Sequence, residues 1–291
     1  RWRPRPIPRR TLKRPPDAFR KAPGFRGGAD AGVPRPGSAK TGRSTAESTR
    51  LRTGKSMKTL AISAYAAIVA ALMAWGFYQA VYVAPQDAMQ GDIFRIIYYH
   101  VPSASVAFVF FAVSLLGSIG YLTWRRTKPG WAQRSDAWAL AGAEVGVVFC
   151  TVVLITGPIW GRRAWGIWWT WDARLTTTLV LWLIYVSYLL LRRFAAGPQV
   201  QTLAAVLGIF GALDVPIVYM SNRWWRTQHP APVFGGAPGS GMDKSMVHPF
   251  LWNMLAWFCW GVFILILRYT VERKHQCNAA AEAEEALNAN A

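Results

Sequence analysis

The sequence predicts an all-α, polytopic membrane protein with six transmembrane helices. Of its 291 residues, 53% are hydrophobic and only 16% are charged, which is typical of integral membrane proteins. A membrane-spanning helix needs about 20 mostly apolar residues. The chain contains six apolar runs of roughly this length, and the predicted spans are residues 60–83, 101–124, 137–155, 177–191, 202–220 and 250–267.

The first 56 residues differ in composition from the rest of the chain. They are rich in Pro, Gly, Arg and Ser, and they carry +13 of the formal net charge of +19. We expect disorder over residues 1–56, because this composition buries too little apolar surface to offset the loss of conformational entropy. Three interpretations stay open: a basic arm on anionic lipid, a transit peptide, or sequence upstream of a native start at Met57. The other loops form no continuous basic surface, so no nucleic-acid partner is expected.

Basic residues beside the spans predict how the chain crosses the membrane. Ten of them flank the spans on one side and seven on the other, and the side with more Lys and Arg is usually cytoplasmic. Both termini, including a tail over residues 274–291, are then cytoplasmic, and the loop between the third and fourth spans is periplasmic. The fourth run is short, so we predict that its helix begins within that loop, where helical spacing relates Trp168, Trp171, Asp172 and Leu175.

That loop contains a tryptophan-rich segment, residues 157–176, which reads GPIWGRRAWGIWWTWDARLT. A cluster of indole rings offers large flat apolar faces that can stack on a planar ligand. The alternative is an aromatic belt at the membrane interface, although a belt does not require the three glycines between the rings. The candidate platform residues are Trp160, Trp165, Trp168, Trp169, Trp171 and Asp172.

Two histidines, His100 and His229, lie at the same predicted membrane edge as this segment. A neutral imidazole is the usual protein ligand of haem iron, and two on opposite faces give a six-coordinate site. Guanidinium groups bind carboxylates such as the haem propionates. We therefore predict a haem site with His100 and His229 as axial iron ligands and with basic residues, including Arg162 and Arg174, at the propionates. His248 at the same edge is an alternative ligand.

Two carboxylates, Glu144 and Asp214, lie within predicted spans. Ionisable side chains at that depth are costly and are functional candidates by default. A protonated acid in an interhelical hydrogen bond is the alternative. The cysteines have no metal-binding spacing and predict no disulfide framework; they are Cys150, Cys259 and Cys277.

The tryptophan-rich segment resembles the WWD signature of proteins that handle haem in c-type cytochrome biogenesis. The matching positions are Trp160-Gly161, Trp165-Gly166, Trp168-Trp169 and Trp171-Asp172-Ala173-Arg174-Leu175-Thr176. The six spans, the run His100-Val101-Pro102 and the run WWRTQH at 224–229 further resemble one family of that group, cytochrome c maturation protein C, or haem exporter protein C. The resemblance covers about residues 57–273.

This resemblance implies a six-helix haem-handling domain over residues 57–273 in the bacterial inner membrane. It also implies that His100 and His229 ligate haem b beside the WWD platform at the periplasmic face. The haem would pass to the chaperone CcmE, in a complex with the CcmA/CcmB transporter pair and CcmD, and a role in covalent haem attachment stays open.

Two alternative functions follow from the same residues. The first is a permease subunit that translocates haem or another substrate, and the buried carboxylates favour it. The second is a cytochrome c synthase of the WWD type, but such proteins are generally longer and have extra spans. No hydrolytic or ATPase activity is expected, because the chain lacks the GxxxxGK[ST] phosphate-binding loop.

Overall fold

The computed structural model describes residues 41–230 and 242–289 of the chain. Within these ranges it contains helices and loops and no β-strand. The described residues from Lys55 onward belong to one compact unit, and helical residues 41–54 belong to another. The α-helices, numbered in chain order, are α1 (Thr41–Tyr78), α2 (Ile97–Trp124), α3 (Pro129–Trp165), α4 (Ala173–Phe194), α5 (Val200–Ala212), α6 (Asp214–Trp224) and α7 (Lys244–Ala289).

The prediction of six transmembrane helices is confirmed, because the described residues contain six helical stretches long and apolar enough to cross a membrane. Helices α5 and α6 together form one of these stretches, Val200–Trp224, with a break at Leu213. A π-helical turn (Gln79–Val83) continues α1, and a 3-10 helix (Asp92–Ile96) leads into α2. At the other terminus α7 runs to Ala289, so most of the predicted tail is helical.

The start of α1 differs from our expectation. We expected disorder through residue 56, whereas the helix begins at Thr41. Residues 41–56 are polar and basic, and they are assigned to this helix. The expectation for residues 1–40 lies outside the described residues.

Helix α4 begins within the tryptophan-rich segment, as predicted, but later than the helical spacing of Trp168, Trp171 and Asp172 indicated. Helix α3 runs into the segment and ends at Trp165, where Gly166 adopts a left-handed φ of 80°. Helix α4 begins only at Ala173, after the N-cap residue Asp172. The Asp172 carboxylate accepts a 2.9 Å hydrogen bond from the N–H of Leu175, which satisfies a donor that the helix leaves unpaired. Trp168 and Trp171 therefore lie in a loop.

Helices α2 and α3 pack backbone against backbone at the centre of the bundle. A Cβ atom on Gly117 would lie 2.5 Å from the backbone nitrogen of Ala139, and one on Gly142 would lie 2.8 Å from the carbonyl oxygen of Phe110. Neither position accepts a side chain without moving a backbone. This close contact fixes the two helices that form one side of the candidate site.

Among the described residues, interhelical ion pairs lie in the half of the bundle away from the tryptophan-rich segment. Arg192 of α4 donates to both carboxylate oxygens of Asp136, at 2.8 and 3.0 Å. Arg268 of α7 donates to both oxygens of Glu144, each at 2.5 Å. Glu144 therefore links α3 to α7. Asp214 is buried, and its Oδ2 has no hydrogen-bond partner among the described residues.

Candidate functional site

A cavity of about 300 Å³ opens at the tryptophan end, by which we mean the end of the bundle that carries residues 157–176 and 225–230. Helices α2, α3, α4 and α6 enclose it, and the loop 225–230 completes the wall. Most of the lining is apolar, as is usual for the binding site of a small organic molecule. The polar and charged side chains in the wall include Gln90, His100, Arg174, Thr178, Tyr219 and His229.

The structure brings the two predicted iron ligands together in this cavity. His100 belongs to the first turn of α2, His229 belongs to the loop after α6, and both line the wall. Their ring centroids are 6.4 Å apart, with 33° between the ring planes. A metal–imidazole bond of about 2 Å on each side, with about 1 Å from nitrogen to ring centre, puts two ligating imidazoles about 6 Å apart. The observed separation therefore suits one metal ion between the rings.

Hydrogen bonds fix the same tautomer on both rings. The Thr156 hydroxyl donates to the carbonyl of Val152 at 2.7 Å, so its oxygen, 2.8 Å from His100 Nδ1, accepts from that nitrogen. On the second ring, His229 Nδ1 lies 2.9 Å from the carbonyl oxygen of Pro230 and donates to it. Both imidazoles thus carry their proton on Nδ1. The Nε2 lone pairs are left available for a metal.

Electrostatics also keep His229 in the ligating form. Burial and the nearby Arg174 guanidinium lower the pKa of His229 to about 4. The ring is therefore neutral at pH 7, and a neutral imidazole is the form that binds a metal.

Three of the five predicted platform tryptophans line the cavity: Trp160, Trp165 and Trp169. The rings of Trp160 and Trp165 meet edge to face, with centroids 5.0 Å apart. Trp160 Nε1 donates to Gln90 Oε1 at 2.7 Å, which holds this ring in place. Trp169 Nε1 is buried and has no hydrogen-bond partner among the described residues, and a buried unpaired donor in a cavity wall favours a ligand with an acceptor.

The other two tryptophans do not line the cavity. Trp168 is 61% exposed and Trp171 is 76% exposed. Both lie in the loop between α3 and α4. They form part of the surface beside the cavity instead of its wall.

Of the predicted basic residues, Arg174 lines the cavity and Arg162 does not. One Arg174 nitrogen donates to the carbonyls of Val218 and Tyr219, at 2.8 and 3.2 Å, and so ties α4 to α6. Arg162 is exposed and donates to the carbonyl of Gly166 at the end of α3. Arg174 is therefore the better placed of the two for an anion in the cavity.

The remaining predicted positions, Asp172 and His248, also lie outside the cavity wall. Asp172 caps α4 and accepts a 2.7 Å hydrogen bond from the Thr227 hydroxyl. His248 Nε2 accepts from Trp252 Nε1 at 3.2 Å, one turn along α7. Neither residue is placed to contact a metal between His100 and His229.

Sequence reasoning missed Gln90, Thr156 and Thr227, which hold the functional side chains in position. Each is a common polar residue whose partner lies far along the chain: 70 residues from Gln90 to Trp160, 56 from His100 to Thr156 and 55 from Asp172 to Thr227. One available signal was Gly157, since a Cβ atom there would lie 3.4 Å from His100 Cε1. Its position directly after Thr156 marks where α3 passes the histidine.

Comparison with known proteins identifies the family of the chain. The family described as "Heme exporter protein C" matches residues 46–284 of the chain. The chain belongs to the haem exporter protein C family. Membership implies a role in haem handling for cytochrome c biogenesis. This match is longer at both ends than the resemblance that we identified in the sequence, which covers about residues 57–273.

Bacterial relatives support the assignment. "Heme exporter protein C" of Bradyrhizobium diazoefficiens is 38% identical over 187 residues, which cover 64% of this chain and 68% of the relative. The Escherichia coli K12 protein of the same name is 33% identical over 200 residues, covering 68% of this chain and 74% of the relative. The Paracoccus denitrificans protein of that name is 31% identical and covers 81% and 94% respectively.

The residues of the cavity fit haem as a cargo. The rings of His100 and His229 are separated by a distance that suits a single iron between them. Three indole rings supply apolar walls for a flat macrocycle, and Arg174 supplies a positive charge beside them. The unpaired Nε1 donor of Trp169 matches a ligand that carries carboxylates.

Proposed function

We propose that this protein binds haem b at its tryptophan end and delivers it to the haem chaperone CcmE during c-type cytochrome biogenesis. The observation that carries the proposal is the pair of imidazoles in the cavity, His100 and His229, with ring centroids 6.4 Å apart and both Nδ1 atoms in hydrogen bonds. Membership of the haem exporter protein C family supports haem as the cargo.

In this proposal each group of the cavity has one task. The two imidazoles coordinate the iron through Nε2, and the rings of Trp160, Trp165 and Trp169 contact the macrocycle. Arg174 and Trp169 Nε1 bind the propionates, because charge-assisted hydrogen bonds to a carboxylate are the strongest of their kind. Exposed groups at the mouth of the cavity extend the platform where the haem edge meets the partner; they are Trp168, Trp171 and Arg162.

Delivery requires binding that is firm but reversible. Coordination by two imidazoles and contact with indole rings form no covalent bond between haem and this chain. These contacts break reversibly, so the haem can pass to the chaperone, whose histidine becomes covalently joined to a haem vinyl group. The chain's own residues orient the haem and exclude water from its buried face, while the exposed side stays accessible to the partner.

We place the tryptophan end on the periplasmic side of the inner membrane. The excess of basic residues at the opposite end supports this orientation, with both termini in the cytoplasm. CcmA, CcmB and CcmD are the further partners that we propose, as components of the same membrane complex.

A permease that translocates haem through the bundle is the competing function. The unpartnered Oδ2 of Asp214 is the observation in its favour. Against it, the cavity lining reaches no farther than the level of Cys150 and Phe108. Interhelical ion pairs of Arg192 and Arg268 join the helices beyond that level. Delivery from one end of the bundle accounts for these features better than passage through it.

The experiment that tests delivery measures the chaperone's covalently bound haem. Membranes that contain CcmE and this protein, or its variant His100→Ala or His229→Ala, are separated on a denaturing gel and stained for haem. We expect a haem-loaded chaperone with the parent and almost none with either variant. His248→Ala is the matched control, because that histidine lies outside the cavity. Normal loading in both cavity variants would contradict the proposal.

A further inference from the structure

Asp172 belongs to the WWD signature, yet it does not line the cavity, and both of its carboxylate oxygens accept hydrogen bonds from other groups. Its Oδ1 accepts from the N–H of Leu175 at 2.9 Å and caps α4. Its Oδ2 accepts from the Thr227 hydroxyl at 2.7 Å. A weaker contact, 3.4 Å, joins the same oxygen to the Thr170 hydroxyl. The carboxylate thus connects the start of α4 to the loop 225–230.

The connection continues from Thr227 to the histidine. Because the Thr227 hydroxyl donates its proton to Asp172, its oxygen is free to accept, and it accepts from the backbone N–H of His229 at 3.1 Å. Three groups therefore form a chain: carboxylate, hydroxyl and histidine N–H. The carboxylate polarises the hydroxyl and strengthens the second bond.

His229 needs such support more than His100 does. His100 is part of α2, and its backbone is fixed by the helix. Helix α6 ends at Trp224, so His229 lies five residues beyond any regular structure. On the other side of the loop, Asn222 Nδ2 donates to the carbonyl of Pro230 at 2.7 Å. The loop is therefore held from α4 and from α6.

We infer that Asp172 is a positioning residue that acts through Thr227 to hold His229 at ligating distance from the iron, and that it makes no contact with the haem itself. The inference rests on the proposed haem-binding function. It explains how a carboxylate can be present near haem, whose propionates are also carboxylates. A direct contact between two such anions would be unfavourable. It also gives the aspartate of the signature a task distinct from that of the tryptophans.

The test breaks the chain at Thr227 and leaves Asp172 and the α4 cap intact. Thr227→Val is nearly isosteric and removes only the hydroxyl, whereas Thr227→Ser retains it. The detergent-purified full chain is titrated with ferric haem, and affinity and the visible spectrum are recorded. We expect Thr227→Val to weaken haem affinity by about 10-fold to 100-fold, the usual effect of losing a group that orients a metal ligand. We also expect it to shift the spectrum from six-coordinate toward five-coordinate haem.

Two control variants test whether the effect is specific to the Thr227 hydroxyl. Thr227→Ser should restore the parent affinity and spectrum. Thr170→Val removes the weaker hydroxyl contact to the same Asp172 oxygen without touching His229, and it should behave as the parent. Parent-like haem binding by a folded Thr227→Val variant would overturn the inference, and so would an equal loss in Thr170→Val.

A second substitution keeps the inference testable if Thr227→Val does not fold. Asp172→Asn retains a good helix N-cap but weakens the acceptor that faces Thr227, and we expect weaker haem binding in the same direction. Parent-like affinity there would also overturn the inference. His229→Ala separates this outcome from failure of the proposed function: if the six-coordinate spectrum survives in His229→Ala, the ligand assignment fails. If only the Thr227 and Asp172 variants bind as the parent does, the ligands stand and the positioning role fails.

Discussion

Replacing Thr156 with valine removes the hydrogen-bond acceptor of His100 Nδ1 and changes little else in α3. The two side chains have nearly the same shape, and the Val152 carbonyl keeps its α-helical backbone bond when the Thr156 hydroxyl is lost. The one group left without its partner is Nδ1–H of His100, now 2.8 Å from the Thr156 oxygen. The ring can then rotate or change tautomer, and either change misplaces Nε2.

The size of the effect follows from that single unpaired donor. A buried donor without a partner costs about 1–3 kcal/mol. At about 1.4 kcal/mol per tenfold change in binding, haem affinity should fall by about 5-fold to about 100-fold. Because the iron loses a well-oriented ligand, the low-spin fraction of the bound haem should fall as well.

The assay is a titration of the detergent-purified protein with ferric haem, followed at the Soret band. Thr156→Ser keeps the hydroxyl and serves as the matched control, and far-UV circular dichroism checks that helix content is unchanged. If Thr156→Val binds haem with the parent's affinity and low-spin spectrum, the hydroxyl does not orient His100 and the argument from tautomers is refuted.

Three further substitutions test other parts of the account. Gly157→Ala should bind haem nearly as the parent does, since its Cβ would lie at an ordinary contact distance of 3.4 Å from His100 Cε1. The larger side chain of Gly157→Val should displace the His100 ring and abolish most haem binding. Equal haem binding by both variants would contradict the placement of His100 beside Gly157. Trp169→Ala should lower the amount of haem retained through gel filtration several-fold. Trp168→Ala, at an exposed position, should retain nearly as much haem as the parent. Greater loss of haem in Trp168→Ala than in Trp169→Ala would contradict the placement of the two rings. Glu144→Gln should lower the thermal unfolding midpoint by a few degrees and leave the haem spectrum unchanged, because its ion pair with Arg268 lies outside the cavity wall; a changed spectrum would show that the ion pair is coupled to the cavity.

The sequence was sufficient to predict the membrane architecture. Six apolar runs near the length of a bilayer-spanning helix identified the six spans, because in lipid the backbone must satisfy its own hydrogen bonds and helices do so. The same reasoning did not determine the residues at which the helices begin and end. The start of α4 was misplaced because Trp168, Trp171 and Asp172 have helical spacing by coincidence, and the N-cap preference of Asp172 decides the boundary.

Residue types indicated the candidate site but not its internal geometry. His100 and His229 stood out as rare side chains at one predicted membrane edge, and the fold brings them to the same cavity. Which tryptophans face that cavity depends on the path of a loop, and Trp168 and Trp169, adjacent in sequence, differ in this respect. The residue types of Thr156 and Thr227 do not by themselves indicate a role, since their function depends on contacts across more than 50 residues.

The most direct test of the central claim is low-temperature electron paramagnetic resonance of the ferric haem-loaded protein. With His100 and His229 as axial ligands, the parent should give a low-spin signal. Either His100→Ala or His229→Ala should convert it to a high-spin, five-coordinate signal, and His248→Ala should leave it unchanged. A low-spin signal that persists in both cavity variants would show that haem is held by other ligands and would contradict the account.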